Sequence, residues 1–347
     1  MIKETWQTMS RKYTVAVVGI GMVGKEMLKV LHQRDFPAGE IRVLATRART
    51  ETLDGRDYQV VPASNDAFQG VDIALFAGTE GASGASKQFG WAAVEKGALV
   101  IDNGGDFRMD PRVPLVVPEV NAEAMREHQG FIANPNCSTI QMVVVLKPLH
   151  DAAGLKRVVA ATYQAVSGTG RAAVSELELG TRAGIDGSVF SPEVYPHPIP
   201  FNCLPHIGGP KDDLPGYTSE EAKMLFETRK IMGLPDLAVT ATCVRVPVYN
   251  SHAEAVNIEF ERPVTVERAR QVLADAPGIV VQDDLANAVY PMPVAASGQD
   301  PVFVGRIRQD TSVPHGLDLW VVADNIRKGA ALNAVQIAEM AIEMGLV

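Results

Sequence analysis

The chain has 347 residues, 46% of them hydrophobic and 21% charged, and a formal net charge of −9. Length and balance of this kind indicate two ordinary globular domains with a core that needs no staples. The acidic excess argues against a general nucleic-acid binder, which needs a basic face to displace counterions from phosphates. Cys137, Cys203 and Cys243, with no CxxC pair, make neither a disulfide framework nor a zinc site. They fit a reducing, cytoplasmic compartment in which a lone thiol does chemistry. The residues before Tyr13 are polar and charged and read as a loose extension with no signal core. No stretch reaches the roughly 18 apolar residues of a membrane span.

The first predicted strand is the apolar run Tyr13–Val18. Gly19-Ile20-Gly21-Met22-Val23-Gly24 follows, and then Lys25 to Arg34 carries Met27, Leu28, Val30 and Leu31 at helical spacing. Strand, glycine turn and helix open a doubly wound Rossmann-type α/β domain. Glycines let the backbone approach a pyrophosphate, and the helix N-terminus supplies amides and a favourable dipole. A tight turn that binds nothing is the bland alternative. Further strands are predicted at Ile41–Ala45, Val71–Ala77 and Ala98–Asp102, with a helix from Ser86 to Lys96 ended by Gly97. This alternation implies a parallel sheet with right-handed crossovers. An NAD enzyme places an acidic residue after the second strand to take the ribose hydroxyls. Here Thr46, Arg47, Ala48 and Arg49 stand there instead. Arginines suit a 2′-phosphate, so NADP is favoured over NAD, with either Arg47 or Arg49 as the contact; an exposed basic loop is the competing reading.

After about Leu149 the texture becomes α+β. Val158–Ala165, Ala238–Pro247 and Glu254–Phe260 read as partly alternating strands, and Arg171–Arg182 and Ser219–Met232 as helices, the latter capped by Thr218 or Ser219. Ser191 to Gly216 is rich in Pro and Gly, and Lys328 to Met344 reads as an alanine-rich helix after an Asp324-Asn325 turn.

Asn134-Pro135-Asn136-Cys137-Ser138-Thr139 precedes the apolar run Ile140–Leu149, which places Cys137 at a helix N-terminus. Such a position favours the thiolate. The same amides, with the Asn136 side chain, can face an oxyanion. An inert core cysteine is the competing reading. Val244 to His252 reads as a strand ending in a polar turn, and His252 is a candidate general acid and base. His32, His128, His150, His197, His206 and His315 compete with it.

Together these stretches resemble the aspartate-semialdehyde dehydrogenase family. The resemblance rests on NPNCST at 134–139, QAVSGTGR at 164–171, PHPIPFNCLPHIG at 196–208, GYTSEEAKMLFETRKI at 216–231, RVPVYNSHAE at 245–254, VGRIRQD at 304–310 and DNIRKGAALNAVQIAE at 324–339, and runs from Tyr13 onward. It implies an NADP-binding domain at 13–137 completed by a returning C-terminal helix at 326–347, and a catalytic and dimerisation domain at 138–325. It implies Cys137 as nucleophile, His252 as acid and base, and Gln164 as the residue that orients the acyl-enzyme. Arg245 becomes the clamp on the substrate α-carboxylate and Glu220 the acceptor for its ammonium, with Glu221 one position away as the alternative. Arg108 and Lys223 become the phosphate pair, Asn136 a further substrate contact, Ser167 and Gly168 cofactor contacts, and Asn325 a residue near the nicotinamide. The implied reaction is the reduction of L-aspartyl 4-phosphate to L-aspartate 4-semialdehyde with NADPH through a Cys137 thioester, in the lysine, threonine and methionine branch of amino-acid biosynthesis. A homodimer or homotetramer is implied as well.

Three segments depart from the family pattern, all in the first domain: the short GIGMVG loop, Gly104-Gly105-Asp106 before Arg108, and Gly78 to Gly84. Two other readings stand beside the leading one. A paralogue reducing another activated acyl group, such as an acyl-CoA, is disfavoured by Arg245 with Glu220. A catalytically silent NADP-binding paralogue is disfavoured by the joint presence of Cys137, Gln164, Arg245 and His252.

Overall fold

The computed structural model describes residues 11–78, 81 and 84–347. The polar N-terminal extension up to residue 10, and four residues of the departing segment between Gly78 and Gly84, lie outside them. The chain divides into two compact units, one running up to Pro135 and resuming at Ala330–Val347, the other comprising Asn136–Gly329.

In the first unit, β1 (Tyr13–Val18), α1 (Met22–Gln33), β2 (Ala38–Ala45), β3 (Arg49–Leu53), β4 (Arg56–Pro62), β5 (Ile73–Phe76), α2 (Ala85–Glu95), β6 (Leu99–Asp102) and β7 (Phe131–Ala133) follow in order. The seven-stranded sheet has the order β3-β4-β2-β1-β5-β6-β7. Every pairing is parallel except β3 with β4. That hairpin was not predicted. It turns through Asp54 and Gly55, both at positive φ (50° and 75°), the Asp-Gly geometry that matches strand twist. Helix α1 begins three residues earlier than predicted, because Gly24 belongs to its first turn. A Cβ on Gly24 would lie 1.9 Å from the Gly19 carbonyl oxygen, so only glycine allows this approach of helix to strand.

The helix Leu332–Glu343 packs into this same unit, burying Leu332, Val335, Ile337, Ala338 and Ile342 in a core with Val15, Val17, Met27, Leu31 and Leu75. Arg34 holds it with a two-pronged contact to Glu339 at 2.8 and 2.7 Å. The single helix predicted from Lys328 is interrupted. Arg327–Ala331 is a wide π turn in which Gly329 N–H reaches back to the Asp324 carbonyl, and regular helix starts at Leu332.

The second unit contains α3 (Cys137–Ala153), β8 (Leu155–Gln164), α4 (Arg171–Asp186), α5 (Ser219–Met232), β9 (Ala238–Arg245), β10 (His252–Phe260), α6 (Val266–Asp275), β11 (Ile279–Val281), β12 (Val302–Asp310) and β13 (Gly316–Ala323). Its six-stranded mixed sheet has the order β11-β12-β13-β10-β8-β9. The predicted strand Val244 to His252 is two strands: β9 stops at Arg245, Pro247 cannot donate to a ladder, and β10 starts at His252. The alternation along β8 and β10 buries Val158, Ala160, Thr162 and Gln164 beside His252, Glu254, Val256 and Ile258. These face α3. The opposite face carries Val159, Ala161, Ala255 and Trp320, which with Met292 and Pro293 line an apolar groove of about 480 Å³. Among the described residues no helix is long and apolar enough to cross a membrane.

Candidate active site

Strand register assembles the site in the second unit. β8 and β9 run parallel and end together, with Gln164 opposite Arg245. β10 runs antiparallel to β8, so its first residue, His252, lies at the same end of the sheet. β13 ends opposite it, with Ala323 paired to His252, and Asp324 and Asn325 follow. Three of the predicted residues, Gln164, Arg245 and His252, are thus brought together by pairings remote in sequence, and all three are buried.

Cys137 is the first residue of α3, and Asn136 is its N-cap. Asn136 Oδ1 accepts the Ser138 and Thr139 N–H groups at 3.0 and 3.2 Å, so these two amides, offered by the sequence to an oxyanion, are engaged by the cap. Asn136 Nδ2 donates to Glu220 Oε1 (2.9 Å), to which Gln164 Nε2 also donates (3.2 Å). Glu220 and Glu221, adjacent on α5, have different partners. Glu221 closes the capping box of α5, accepting the Thr218 N–H at 2.8 Å, and its other oxygen takes the Cys243 N–H at 3.1 Å. Glu220, one residue round the helix, points into the cluster with Lys223 3.7 Å away. Burial pushes the Glu220 carboxyl up. The Lys223 ammonium, the Asn136 and Gln164 amides and the Arg245 guanidinium outweigh that, holding its pKa below the ordinary glutamate value.

Arg245 donates through one terminal nitrogen to the Ala165 carbonyl (2.7 Å), while its Nε has no partner. His252 accepts the Ala165 N–H on Nδ1 (3.0 Å), and its Nε2 also has no partner. A backbone amide only donates, so the neutral ring carries its hydrogen on Nε2. Burial, and secondarily the Arg245 charge, hold the His252 pKa well below its ordinary value. Gly168 lies against both side chains: a Cβ there would sit 3.0 Å from the Arg245 terminal nitrogen and 3.3 Å from His252 Nε2. Ser167, Gly168 and Asn325 therefore belong to this cluster, with Asn325 Nδ2 donating to Ser167 Oγ at 3.0 Å.

Sequence reasoning missed Glu227, which accepts the Asn136 N–H at 2.6 Å. It stands two helical turns after Glu220, a spacing that places both on one face of α5. It also missed Glu254, one inward position below His252. The Glu254 carboxyl is fully buried and burial pushes its pKa well above the ordinary value, while Gln141 on α3 draws it back in part.

The first unit carries the predicted cofactor residues. Gly21 is the N-cap of α1 and supplies no side-chain cap, and a Cβ at Gly21 would meet nothing within 4 Å. Open space over uncapped helix amides is what a pyrophosphate needs. Arg49 is tied to Glu51 at 2.8 Å, and Glu51 also takes Lys25 at 2.9 Å. Thr46 and Arg47 lie in the exposed bend before β3. Arg108 is buried, donating to the Asn134 and Asn103 carbonyls at 3.0 and 2.7 Å. The departure before it has a local cause. A Cβ on Gly104 would crowd the Asp102 carboxylate at 3.0 Å, and Asp106 accepts the Gly81 N–H at 3.0 Å with Lys87 3.9 Å away.

Two family models match the chain. Residues 14–128 match the family model "semialdehyde dehydrogenase, NAD binding domain", and residues 146–328 match "semialdehyde dehydrogenase, dimerisation domain". The class is thus that of two-domain semialdehyde dehydrogenases, which are oxidoreductases. An aspartate-semialdehyde dehydrogenase of Aquifex aeolicus is 51% identical over 96% of this chain and 99% of its own length. That of Bacillus subtilis is 48% identical over 98% and 100%. Among solved structures, aspartate semialdehyde dehydrogenase II of Vibrio cholerae, complexed with ASA, superposes with a TM-score of 0.91 at 44% identity, covering 96% of this chain and 99% of that one. The chain belongs to the aspartate-semialdehyde dehydrogenase family.

Proposed function

We propose that this chain reduces L-aspartyl 4-phosphate to L-aspartate 4-semialdehyde with NADPH, releasing phosphate, in the biosynthetic branch to lysine, threonine and methionine. The observation that carries the reading is a buried cation and a buried anion, Arg245 and Glu220, the latter bonded to the Asn136 cap that precedes Cys137. Arg245, with an unpartnered Nε, and Glu220, kept ionised by its surroundings, match the α-carboxylate and ammonium of an amino acid. Neither suits an acyl-CoA, and a silent paralogue has no need to bury them.

In this mechanism the Cys137 thiolate attacks the carbonyl carbon of the acyl phosphate, the carbon–oxygen bond to phosphate breaks, inorganic phosphate leaves, and a thioester forms. Lys223 and Arg108 hold the phosphate. Gln164, linked to Glu220, orients the acyl chain. His252 shares its Nε2 hydrogen with the thioester oxygen as that carbon is reduced, steadying the developing alkoxide, and keeps the proton when the tetrahedral adduct collapses to aldehyde and thiolate. Low basicity suits this role, because a ring that is neutral at rest is a hydrogen donor and not a competing cation beside Arg245.

NADP fits the first unit through Gly19, Gly21, Met22, Val23 and Gly24 for the pyrophosphate, with Thr46 and Arg47 at the 2′-phosphate, since Arg49 is held by Glu51. When bound, the nicotinamide supplies or accepts the hydride. Ser167, Gly168 and Asn325 are the second-unit residues proposed to meet it. We place the enzyme in the cytoplasm, a reducing compartment in which free thiols such as Cys137, Cys203 and Cys243 persist. The apolar groove on the sheet face opposite α3 is proposed to be covered in a homodimer or a homotetramer built from it.

The test is phosphate-dependent reduction of NADP at 340 nm with L-aspartate 4-semialdehyde. NAD and succinic semialdehyde serve as controls, and Cys137→Ser as the dead variant that still binds NADP. Activity that needs both phosphate and the amino group is expected. Equal rates with succinic semialdehyde would remove the amino-acid clamp, and turnover by Cys137→Ser would remove the nucleophile. Light scattering that returned a lone protomer at micromolar concentration would remove the dimer.

A further inference from the structure

Ser251, the residue just before His252, has φ +72°, a conformation that side chains other than glycine rarely adopt. It is fully buried, and its hydroxyl has no partner, so its own side chain does nothing to hold that conformation. What holds it is Asn325. The Ser251 N–H donates to Asn325 Oδ1 at 2.9 Å. The Asn325 amide donates to Ser167 Oγ (3.0 Å), whose hydroxyl donates to Asn250 Oδ1 (3.0 Å), and Asn250 Nδ2 donates in turn to Asp324 Oδ2 (2.8 Å). Asp324 and Asn325 are adjacent, so these bonds form a closed ring around the Asn250-Ser251 turn. The same side chain stands beside the nucleophile: a Cβ on Gly329 would lie 3.5 Å from Asn325 Cβ and 2.9 Å from Cys137 Cβ.

This ring of bonds bears on the imidazole at two points. The turn sets where β10 begins, and β10 begins at His252. Ser167 belongs to the loop that supplies the Ala165 N–H to His252 Nδ1 and places Gly168 against the ring edge.

We infer that Asn325 is a positioning residue for His252: its carboxamide clamps the strained Ser251 turn to the Ser167 loop, and so aims the Nε2 hydrogen at the reacting atoms. This rests on the reading of His252 as the proton carrier, and it is separate from any contact Asn325 makes with a nicotinamide. It predicts that the strain at Ser251 and the clamp at Asn325 are coupled. A glycine at 251 adopts the same backbone without needing to be held, so it removes the requirement for the clamp.

The experiment measures kcat and the KM for NADP in four variants: Asn325→Ala, Asn325→Asp, Ser251→Gly/Asn325→Ala and His252→Gln. Asn325→Ala is expected to lose about 100-fold in kcat, the scale of a roughly 1 Å misplacement. Asn325→Asp keeps the oxygen that accepts from Ser251 and is expected to lose less. Adding Ser251→Gly to Asn325→Ala is expected to recover about tenfold in kcat, the scale of the left-handed penalty, while leaving the KM for NADP where Asn325→Ala set it. A residue that served only the cofactor gives the opposite pattern: the loss falls on the KM for NADP and the glycine restores nothing, which overturns the inference. If His252→Gln retains turnover, the proton-carrier reading fails and the clamp fails with it. An inactive His252→Gln together with an unrescued double variant sinks the clamp alone.

Discussion

Gly329→Ala adds one methyl group to a residue that carries no reacting atom, and it tests whether the position of Cys137 is set by contact. Gly329 sits in the π turn after Asp324, and its ideal Cβ falls 2.9 Å from Cys137 Cβ and 3.3 Å from Cys137 Cα. Carbon atoms rest at about 3.5–4.0 Å, so either the first residue of α3 or the turn must give by roughly 0.6–1 Å. Both partners are backbone-anchored, with no flexible side-chain end to swing aside. Overpacking of this kind costs about 1–3 kcal/mol in stability. A displacement near 1 Å at the reacting atom costs about 10²-fold in rate, equivalent to roughly 2.7 kcal/mol in the barrier. We therefore expect kcat/KM for the aldehyde to fall about 100-fold and the melting temperature to fall by only a few degrees. Gly209→Ala, whose added Cβ meets nothing within 4 Å, is the control and should retain full turnover. Steady-state NADP reduction with thermal melts on the same samples decides it. If Gly329→Ala turned over within twofold of the parent while the melt shifted, the contact would be one of stability alone, and the claim that it seats the nucleophile would be wrong.

Three further outcomes are expected. Glu220→Gln should raise the KM for the aldehyde by tenfold or more with little change in melting. Glu221→Ala should instead cost about 1 kcal/mol of stability through the lost capping box and leave KM near its parent value; reversed effects would mean the two glutamates have been given each other's roles. Arg47→Ala should raise the KM for NADP but not for NAD, and Arg49→Ala should do so less; equal effects would remove the distinction drawn from the Arg49–Glu51 pair. Glu254 has a folded-state pKa raised above its unfolded value. Its contribution to folding is therefore fully present below about pH 4.5 and is lost progressively as pH rises towards the folded value, because the unfolded chain ionises first. The melting temperature of Glu254→Gln relative to the parent should accordingly climb between pH 5 and pH 8, and a gap independent of pH would show that Glu254 is ionised in the fold.

Local chemistry was readable in the sequence wherever a single segment decides its own geometry. Thr218 before Glu221 spells a capping box, and α5 spans the predicted Ser219–Met232. Asn136 before Cys137 spells a helix start, and α3 begins there. The Asp54-Gly55 hairpin was equally spelled out, but its flanks, Arg-Thr-Glu-Thr-Leu and Arg-Asp-Tyr-Gln-Val-Val-Pro, are too polar to read as strands unless the turn is noticed first. What no local pattern carries is register. That Gln164 meets Arg245, and that His252 opens a strand beside them, follows from which strands pair and in which direction. The left-handed Ser251 was unreadable for another reason: serine has no preference for that conformation, and only Asn325, brought in by β13, keeps it there.

The split of the first unit bears on how the chain acquires its shape during synthesis. Its seven strands are complete once β7 is made, yet its core still lacks Leu332, Val335, Ile337, Ala338 and Ile342. All of the intervening unit is continuous in sequence. On the ribosome, Asn136–Gly329 can close on itself while the nucleotide-binding sheet waits, open along one helix-shaped trough, for a segment made more than 190 residues after β7 begins at Phe131. A nascent or truncated form lacking Ala330–Val347 thus presents a Rossmann sheet with part of its apolar face uncovered, the kind of surface that chaperones hold and proteases find.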